Sequence, residues 1–578
     1  MTADRSKSIV ESVALNRAAE KYDVAILGGG LAGLTLAIQL KRVRPETSVL
    51  VLEKREGPAP LAAFKVGEST VASGAHYFRD VVGLSDHLAE KHLLKCGLRF
   101  WMRAGDNSDL VQRREMGSPA FPPDSDVQID RGLFENELAR RARRAGVDLL
   151  QGARVQDVTL APARHSVTFS QLGEEFTVKA RWVVDAAGRA SFLKRKLGMG
   201  TKVGHVVNSA WVRLGGGFDL EDWGRHDAGF MARMTEPGLR MFSTNHLFGH
   251  GYWMWLIPLS SGPISIGVCA DASIHPFEQI STFDAFLDWL RKHEPQLADV
   301  IEPRTDEIED FLRVEDFAYG VERVFSPDRW SLVGEAGAFA DPLYSPGSDF
   351  IGYGNILTTD LITRDLDGED IAARVERHND FYLRTWAGVM SRTENLYPAF
   401  GNAWVTGAKI VWDGQLNHSG VVMLMVKDKL ADIEFVDSVE DDLLRLHRLN
   451  LNMQRLFREW NEIEQRPLTG PPAGTNPLLR EAIIRLNAEM DDEGIRNALR
   501  LQVSIAEAMS VALFYRAAEA LDEPPPEDKP VNPYAVGLKP ERWEAEGLFE
   551  GPGLTSREAL EQIGGLEWLF GAPAGAAT

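Results

Sequence analysis

Cysteine is nearly missing from this chain: 578 residues contain two, Cys96 and Cys269. That excludes a disulfide framework and a cysteine-based zinc site, and it fits a reducing compartment. Basic residues are in deficit as well, 63 Lys and Arg against 84 Asp and Glu, for a formal net charge of −21. Nucleic acid and anionic membranes both require a cationic face, so neither is expected as a partner, although a local basic patch around Arg140 to Arg144 stays open. No stretch offers the ~20 uninterrupted apolar residues of a membrane span. Residues 1–20 mix charges with apolar residues where a signal peptide would carry an apolar core. The chain therefore reads as cytoplasmic, with residues 1–20 as a flexible terminus. No internal repeat is evident, and the length allows more than one domain.

What is present begins at Lys21–Lys54, KYDVAILGGGLAGLTLAIQLKRVRPETSVLVLEK. Val24, Ile26 and Leu27 form a short apolar run suited to a buried parallel strand, and Gly28, Gly30 and Gly33 complete G-x-G-x-x-G where strand gives way to helix. The first glycine allows a tight turn, the second lets backbone approach a pyrophosphate, and the third lets the helix pack close to the sheet. The first helical amides, at Leu31 and Ala32, then face the phosphates. A second strand over 48–52 leads to Glu53 and Lys54, about twenty residues past the last glycine, where a carboxylate can accept ribose hydroxyls. A Gly-rich turn alone would be an equally good reading of the glycines. Strand before, helix after and acid at this distance favour a dinucleotide.

Further loops resemble places where backbone returns to a cofactor. VGEST supplies Gly67, Glu68, Ser69 and Thr70, and QIDR leads from strand into helix at Asp130–Arg131. RWVVDAAGR is a buried strand ending in a turn with Asp185 and Gly188. LLKCGLRFWM, 93–102, has strand composition with Lys95 near its start. From about Val203 to Val314, alternating segments such as SAWVRL and PISIGV predict an antiparallel sheet. Residues 329–362 read strand, loop, helix, the helix opening after Pro346 and Gly347. Beyond Ile362 the pattern is helical, with Leu443, Leu446, Leu449, Met453, Leu456 and Trp460 at three- and four-residue steps and Asn476-Pro477 starting a further helix.

Together these motifs resemble the tryptophan-halogenase-like flavin-dependent halogenases, a branch of the flavoprotein monooxygenase superfamily. Three features carry the resemblance, which covers roughly Lys21 to Asp365. Trp253-Met254-Trp255-Leu256-Ile257-Pro258 matches W-x-W-x-I-P; Phe339, Pro342, Ser345 and Gly347 match F-x-x-P-x-x-S-x-G; and Lys95 precedes an aromatic pair, Phe100 and Trp101. The resemblance implies an α/β fold: a Rossmann-type FAD-binding domain interleaved over 21–400 with an antiparallel-sheet substrate domain, followed by a mainly helical region over 401–578.

It also implies reduced FAD, delivered by a separate flavin reductase because no second Gly-rich motif for a nicotinamide is evident. Dioxygen and a halide complete the reaction, and hypohalous acid is passed to Lys95. Glu335, Asp341, Pro342, Gly347 and Ser348 would join the flavin contacts. Ser345, Trp253 and Trp255 would line the passage to the substrate, the tryptophans as a wall. Lys95 could hold the oxidant by a charge-assisted hydrogen bond or as a haloamine, the latter requiring burial among Phe100, Trp101 and other aromatics to lower its pKa.

Two departures matter. Tyr344 stands where tryptophan halogenases carry glutamate, which points to phenols or pyrroles that activate their own ring, and Glu335 replaces the usual aspartate. Plainer readings exist for each feature: a lysine at a strand start is ordinarily solvated, and tryptophans two apart are ordinarily core. His246 and His250 have the spacing of a metal pair, but Gly249 and a strand context argue against it, and no metal is expected. A flavin monooxygenase of the same fold, or a noncatalytic flavin-binding maturation partner, remains an alternative. The acidic net charge favours a free small aromatic over a carrier-tethered one.

Overall fold

The computed structural model describes residues 21–61, 66–122, 126–466, 468 and 477–571. The expected loose terminus, 1–20, and the helix cap Asn476 lie outside the described residues. The chain divides into two compact units: Met1–His92 with Ile129–Val203 and Ala318–Trp386, and Leu93–Gln128 with Gly204–Phe317 and Ala387–Thr578.

The first unit is built on an eight-stranded sheet. Its centre is parallel, in the order Trp330–Leu332, Glu174–Asp185, Lys21–Leu27, Val49–Glu53, Asp148–Gln151. Val24, Ala25 and Ile26 are completely buried, as are Leu50 and Val51, which is why these strands read as continuous apolar runs. The Glu174–Asp185 strand is longer than RWVVD suggests. Its first half pairs antiparallel with His165–Gln171, and its second half runs parallel to Lys21–Leu27. Helices Leu31–Val43, Arg131–Arg144 and Gly347–Leu366 complete the α/β arrangement. The arginines near the end of the second of these helices are partly neutralised, Arg140 and Arg141 by Glu137 at 2.7 Å and Arg141 also by Asp86 at 2.7 Å.

The second unit carries a seven-stranded sheet in the order Ile308–Val314, Val207–Leu214, Ile264–Asp271, Tyr252–Pro258, Thr244–Gly249, Leu98–Trp101, Glu115–Met116. It is antiparallel except where Thr244–Gly249 runs parallel to Leu98–Trp101. The single strand expected over 93–102 is two. Leu93–Leu94 pairs with Val127–Gln128 and Leu98–Trp101 with Thr244–Gly249, because Gly97 at φ +75° breaks the chain between them.

Side chains alternate across this sheet with period two. Tyr252, Met254 and Leu256 join Trp101, Leu247 and Val268 in a core cluster with Phe286, Trp289 and Leu290 of helix Phe283–His293. Trp253 and Trp255 point the other way. Helices Ala403–Asn417, Glu440–Ile463 and Asp492–Ala518 belong to the same unit as the sheet, and Leu446, Leu449, Met453, Leu456 and Trp460 form the buried stripe of the second. The helix read from Asn476-Pro477 runs Pro477–Asn487. Helix Asp492–Ala518 has the length and apolarity of a membrane span, but 78% of its apolar window is buried inside the unit, as for a core helix.

Candidate active site

In the first unit the glycine motif shapes a cradle at the carboxyl ends of the parallel strands. Gly28 has φ +114°, and a β-carbon on Gly33 would lie 2.0 Å from the Gly28 carbonyl oxygen, so both positions need glycine. Gly30 caps helix Leu31–Val43 in an extended conformation without any side-chain cap. The amides of Leu31, Ala32 and Gly33 are consequently left for an anion. Glu53, the last residue of its strand, is buried. Its Oε2 accepts the Gly29 N–H at 2.8 Å and its Oε1 the Arg55 N–H at 2.7 Å, which fixes the carboxylate while leaving lone pairs for hydroxyl donors. Lys54 beside it is exposed.

Arg131 enters the same unit from the start of its helix. Its Nη1 donates to the Val66 carbonyl at 2.7 Å and its Nη2 pairs with Glu135 at 2.7 Å, while its buried Nε has no partner among the described residues. Gly67, at φ +94°, packs against that guanidinium. Glu68, Ser69 and Thr70 are buried, and the Glu68 carbonyl accepts the Ile129 N–H at 2.5 Å. Asp185 is completely buried and accepts the N–H groups of Ala187 at 3.0 Å and Leu193 at 2.7 Å. It holds the turn that includes Gly188, and burial pushes its carboxyl up to about 6. An uncapped helix start, a fixed strand-end carboxylate and an orphaned guanidinium nitrogen fit the pyrophosphate, ribose and polar edge of FAD.

The 334–348 loop closes against the same motif. A β-carbon on Gly334 would lie 3.2 Å from that of Ala32, and one on Gly74 2.7 Å from that of Ser348. The Tyr319 hydroxyl donates to the Glu335 carbonyl at 2.7 Å. Asp341 accepts the Leu343 N–H at 2.9 Å, and the Ser345 N–H returns to the Pro342 carbonyl at 2.9 Å. Tyr344 and Ser345 both adopt left-handed backbone, φ 68° and 61°. Two successive non-glycine residues in that region store strain of the kind found at functional turns. Helix Gly347–Leu366 opens directly afterwards, capped by Pro346 with no side-chain cap, and space beside Gly347 is open.

In the second unit Lys95 is completely buried, its N–H bonded to the Asp126 carbonyl at 2.8 Å. An aromatic residue within reach of its charge is one that sequence reasoning treated only as half of a metal pair. His246 stacks on Phe100 with ring centroids 5.0 Å apart and lies 5.5 Å from Trp253. Burial, and then the charge of Lys95, hold its imidazole down at about 3, so it is neutral. Its Nδ1 lies 3.3 Å from the Arg99 carbonyl, which can only accept, so Nδ1 carries the hydrogen and Nε2 a lone pair.

Trp253 and Trp255 continue the face, 5.8 Å apart and tilted by 48°, with Trp211 6.5 Å beyond Trp255. Both indole N–H groups are bonded, Trp253 to the Tyr397 hydroxyl at 2.8 Å and Trp255 to Ser265 Oγ at 3.1 Å. Trp101, expected to help bury the lysine, faces the opposite side because strand residues alternate. It stacks on Phe230 in the core cluster. Gln128, unforeseen, is fully buried with its Oε1 accepting from the Thr244 hydroxyl at 3.1 Å, and its Nε2 has no partner among the described residues. His250 lies at the Pro398 carbonyl, 3.2 Å away, and among the described residues no His, Cys, Asp or Glu side chains gather as a metal site.

An FAD binding domain family matches residues 21–268. A flavin-dependent halogenase of Dictyostelium discoideum, chlA, is 30% identical over 360 residues, covering 56% of this chain and 57% of its own length. The chain thus spans little more than half of that relative. A 1H-pyrrole-2-carbonyl-[peptidyl-carrier protein] brominase of Pseudoalteromonas luteoviolacea is 28% identical over 358 residues, 61% of this chain and 79% of the brominase. Among solved structures, halogenase PltM in complex with phloroglucinol and FAD superposes with a TM-score of 0.59 at 18% identity, covering 84% of this chain and 96% of PltM, a likeness of fold.

Proposed function

We propose that the chain is a flavin-dependent halogenase and that it halogenates an electron-rich aromatic compound, phenol-like or pyrrole-like, using reduced FAD, dioxygen and chloride or bromide. The observation that supports this most directly is a completely buried lysine beside a neutral histidine on a wall of aromatic rings. FAD bound in the cradle supplies, with dioxygen, the oxidising equivalent that converts halide to hypohalous acid.

Everything else falls to side chains of this chain. The Lys95 ammonium donates to the oxygen of the hypohalous acid and polarises its bond to halogen. The ring carbon takes the halogen as that bond breaks, the departing hydroxide takes the ammonium proton and leaves as water, and the ring proton is returned to the amine. His246, being neutral, adds no repulsion to the ammonium and offers Nε2 as an acceptor. Trp253 and Trp255 give the chamber a rigid wall, since their N–H groups are already engaged. Ser345, Gly347 and Ser348, at the strained turn and the helix start, are assigned to hold halide. With Tyr344 in place of a carboxylate, the substrate's own hydroxyl or ring nitrogen must activate the carbon.

A screen of phenols and pyrroles with bromide and an added flavin reductase tests the reading. Brominated product identified by its isotope pattern, lost in Lys95→Ala with FAD retained, is the expected outcome. Bromide-independent hydroxylation would instead establish a monooxygenase. Reduced FAD is assigned to a separate reductase in the cytoplasm, so the isolated protein should not oxidise NADH.

A further inference from the structure

A second cavity of different character lies wholly within the second unit. It measures about 640 Å³, and its wall includes Arg103, Arg113, Arg114, Arg233 and Arg466 beside Trp404. Among the described lining residues Glu464 is the one acid, and it is tied to Arg466 at 2.6 Å. Arg233 lies 3.5 Å from Glu115, and Arg113 is bonded through Nη2 to Glu294.

Arg103 and Arg114 differ from these three, since neither has a carboxylate within ion-pair distance among the described residues. Arg103 is exposed at the cavity and its Nε donates to the Gly105 carbonyl at 3.3 Å. Arg114 is 9% exposed, its Nη2 donates to the Leu569 carbonyl, and its Nε is buried without a partner. Burial alone pulls this guanidinium down to about 10. Neighbouring Arg113 is 2% exposed and has Nε and Nη1 likewise without partners.

The idle nitrogens are themselves sealed from the cavity, but Arg114 carries a buried charge that no carboxylate among the described residues offsets, and an anion in the cavity would supply the counter-charge. Five arginines on one cavity wall against a single lining acid leave a positive surplus there, and guanidinium groups suit the tetrahedral oxygens of phosphate. The volume is that of a small-molecule site and far exceeds what a halide ion needs.

We propose that this cavity binds the phosphate group of an organic phosphate. The assignment goes beyond the halogenation reading and does not rest on it. The chemistry suits either a free phosphate compound or the phosphopantetheine arm of a carrier. In the second case it would supply the local positive charge that a net charge of −21 otherwise denies an acidic partner.

The test is calorimetric titration of the full-length, FAD-loaded protein with phosphopantetheine, unphosphorylated pantetheine and inorganic phosphate at constant ionic strength. Saturable binding of phosphopantetheine at least tenfold tighter than pantetheine is expected. It should weaken at least tenfold in Arg114→Met and in Arg103→Glu, with the flavin absorbance unchanged. Arg103 is exposed, so its variant reports on the site even where Arg114→Met fails to fold. Inorganic phosphate binding as tightly as phosphopantetheine supports the site and shows that the phosphate group alone is recognised. Equal competition by chloride, or wild-type binding in Arg103→Glu, overturns the proposal.

Discussion

A β-carbon on Gly28 would stand 2.5 Å from the carbonyl oxygen of Ala186, so the turn after the first strand is built directly against the turn after Asp185. The backbone there is also left-handed, φ +114°. Gly28→Ala is therefore expected to separate the two turns, at a cost of about 2–4 kcal/mol combining steric overlap with backbone strain. Gel filtration followed by the flavin absorbance of the protein peak should show FAD lost. A variant that retains FAD at the wild-type ratio would remove this cradle as the cofactor site.

Lys95 belongs to a different unit from the cradle, so its substitution leaves the residues that form the cradle untouched. Lys95→Met keeps the length of the side chain and removes the N–H donors. Turnover should fall by about 10²-fold or more, the scale seen when a charge-stabilising donor is removed, while FAD affinity stays unchanged. Quench-flow or end-point bromination assays alongside a flavin titration read both quantities. Bromination at the wild-type rate would dismiss Lys95 as the recipient of the oxidant.

The contrast between these two sites explains what was legible in the sequence. The cradle is local: strand, G-x-G-x-x-G, helix and Glu53 fall within a few dozen residues, and each glycine answers to a specific crowding. The placement of Trp253 and Trp255 on one face also follows from period two. His246 was out of reach because its partner Phe100 is brought beside it by a parallel pairing across far-separated strands. The strand break at Gly97 left no signal either, since an isolated glycine in a strand pattern has several outcomes. Nor did the left-handed pair Tyr344–Ser345, where neither residue type announces that backbone. The arginine cavity joins segments near 103–114, 233 and 464–466, and no pattern along the chain connects them.

The ring of Trp255 lies across Gly267 on the neighbouring strand, so closely that a β-carbon there would fall 2.1 Å from it. Gly267→Ala should push the indole off the sheet surface and break its bond to Ser265, costing about 1–3 kcal/mol as an overpacked site. Loss of kcat/KM for larger substrates, with FAD binding intact, is the expected signature. Equal loss for every substrate size would show that Trp255 does not shape the chamber.

Buried histidines make the protein acid-sensitive below about pH 6.5, His92 and His246 most of all. His92, lowered by burial and by His87, and His246, lowered by burial and by Lys95, are each held at about 3 in the folded chain, against ~6.5 when unfolded. Between those values the unfolded chain binds a proton at each of these two sites that the folded chain does not. Stability is thus fully present above pH 6.5 and falls by up to ~1.4 kcal/mol per pH unit per histidine as the pH drops toward 3. Asp185 acts in the opposite direction. Burial raises it to about 6, so from pH 6 down to about 4 the folded chain holds a proton that the unfolded chain lacks, returning ~1.4 kcal/mol per unit. His293, held at about 4 by burial, acts in the same sense as His92 and His246, so the histidines outweigh Asp185 and the net slope over that window is a loss. Urea melts at pH 7, 6, 5 and 4 should show it, and His246→Gln should flatten the curve between pH 6 and 4. An unchanged slope in that variant would mean that His246 takes up a proton in the folded protein, and that its neutral partnership with Lys95 is wrong.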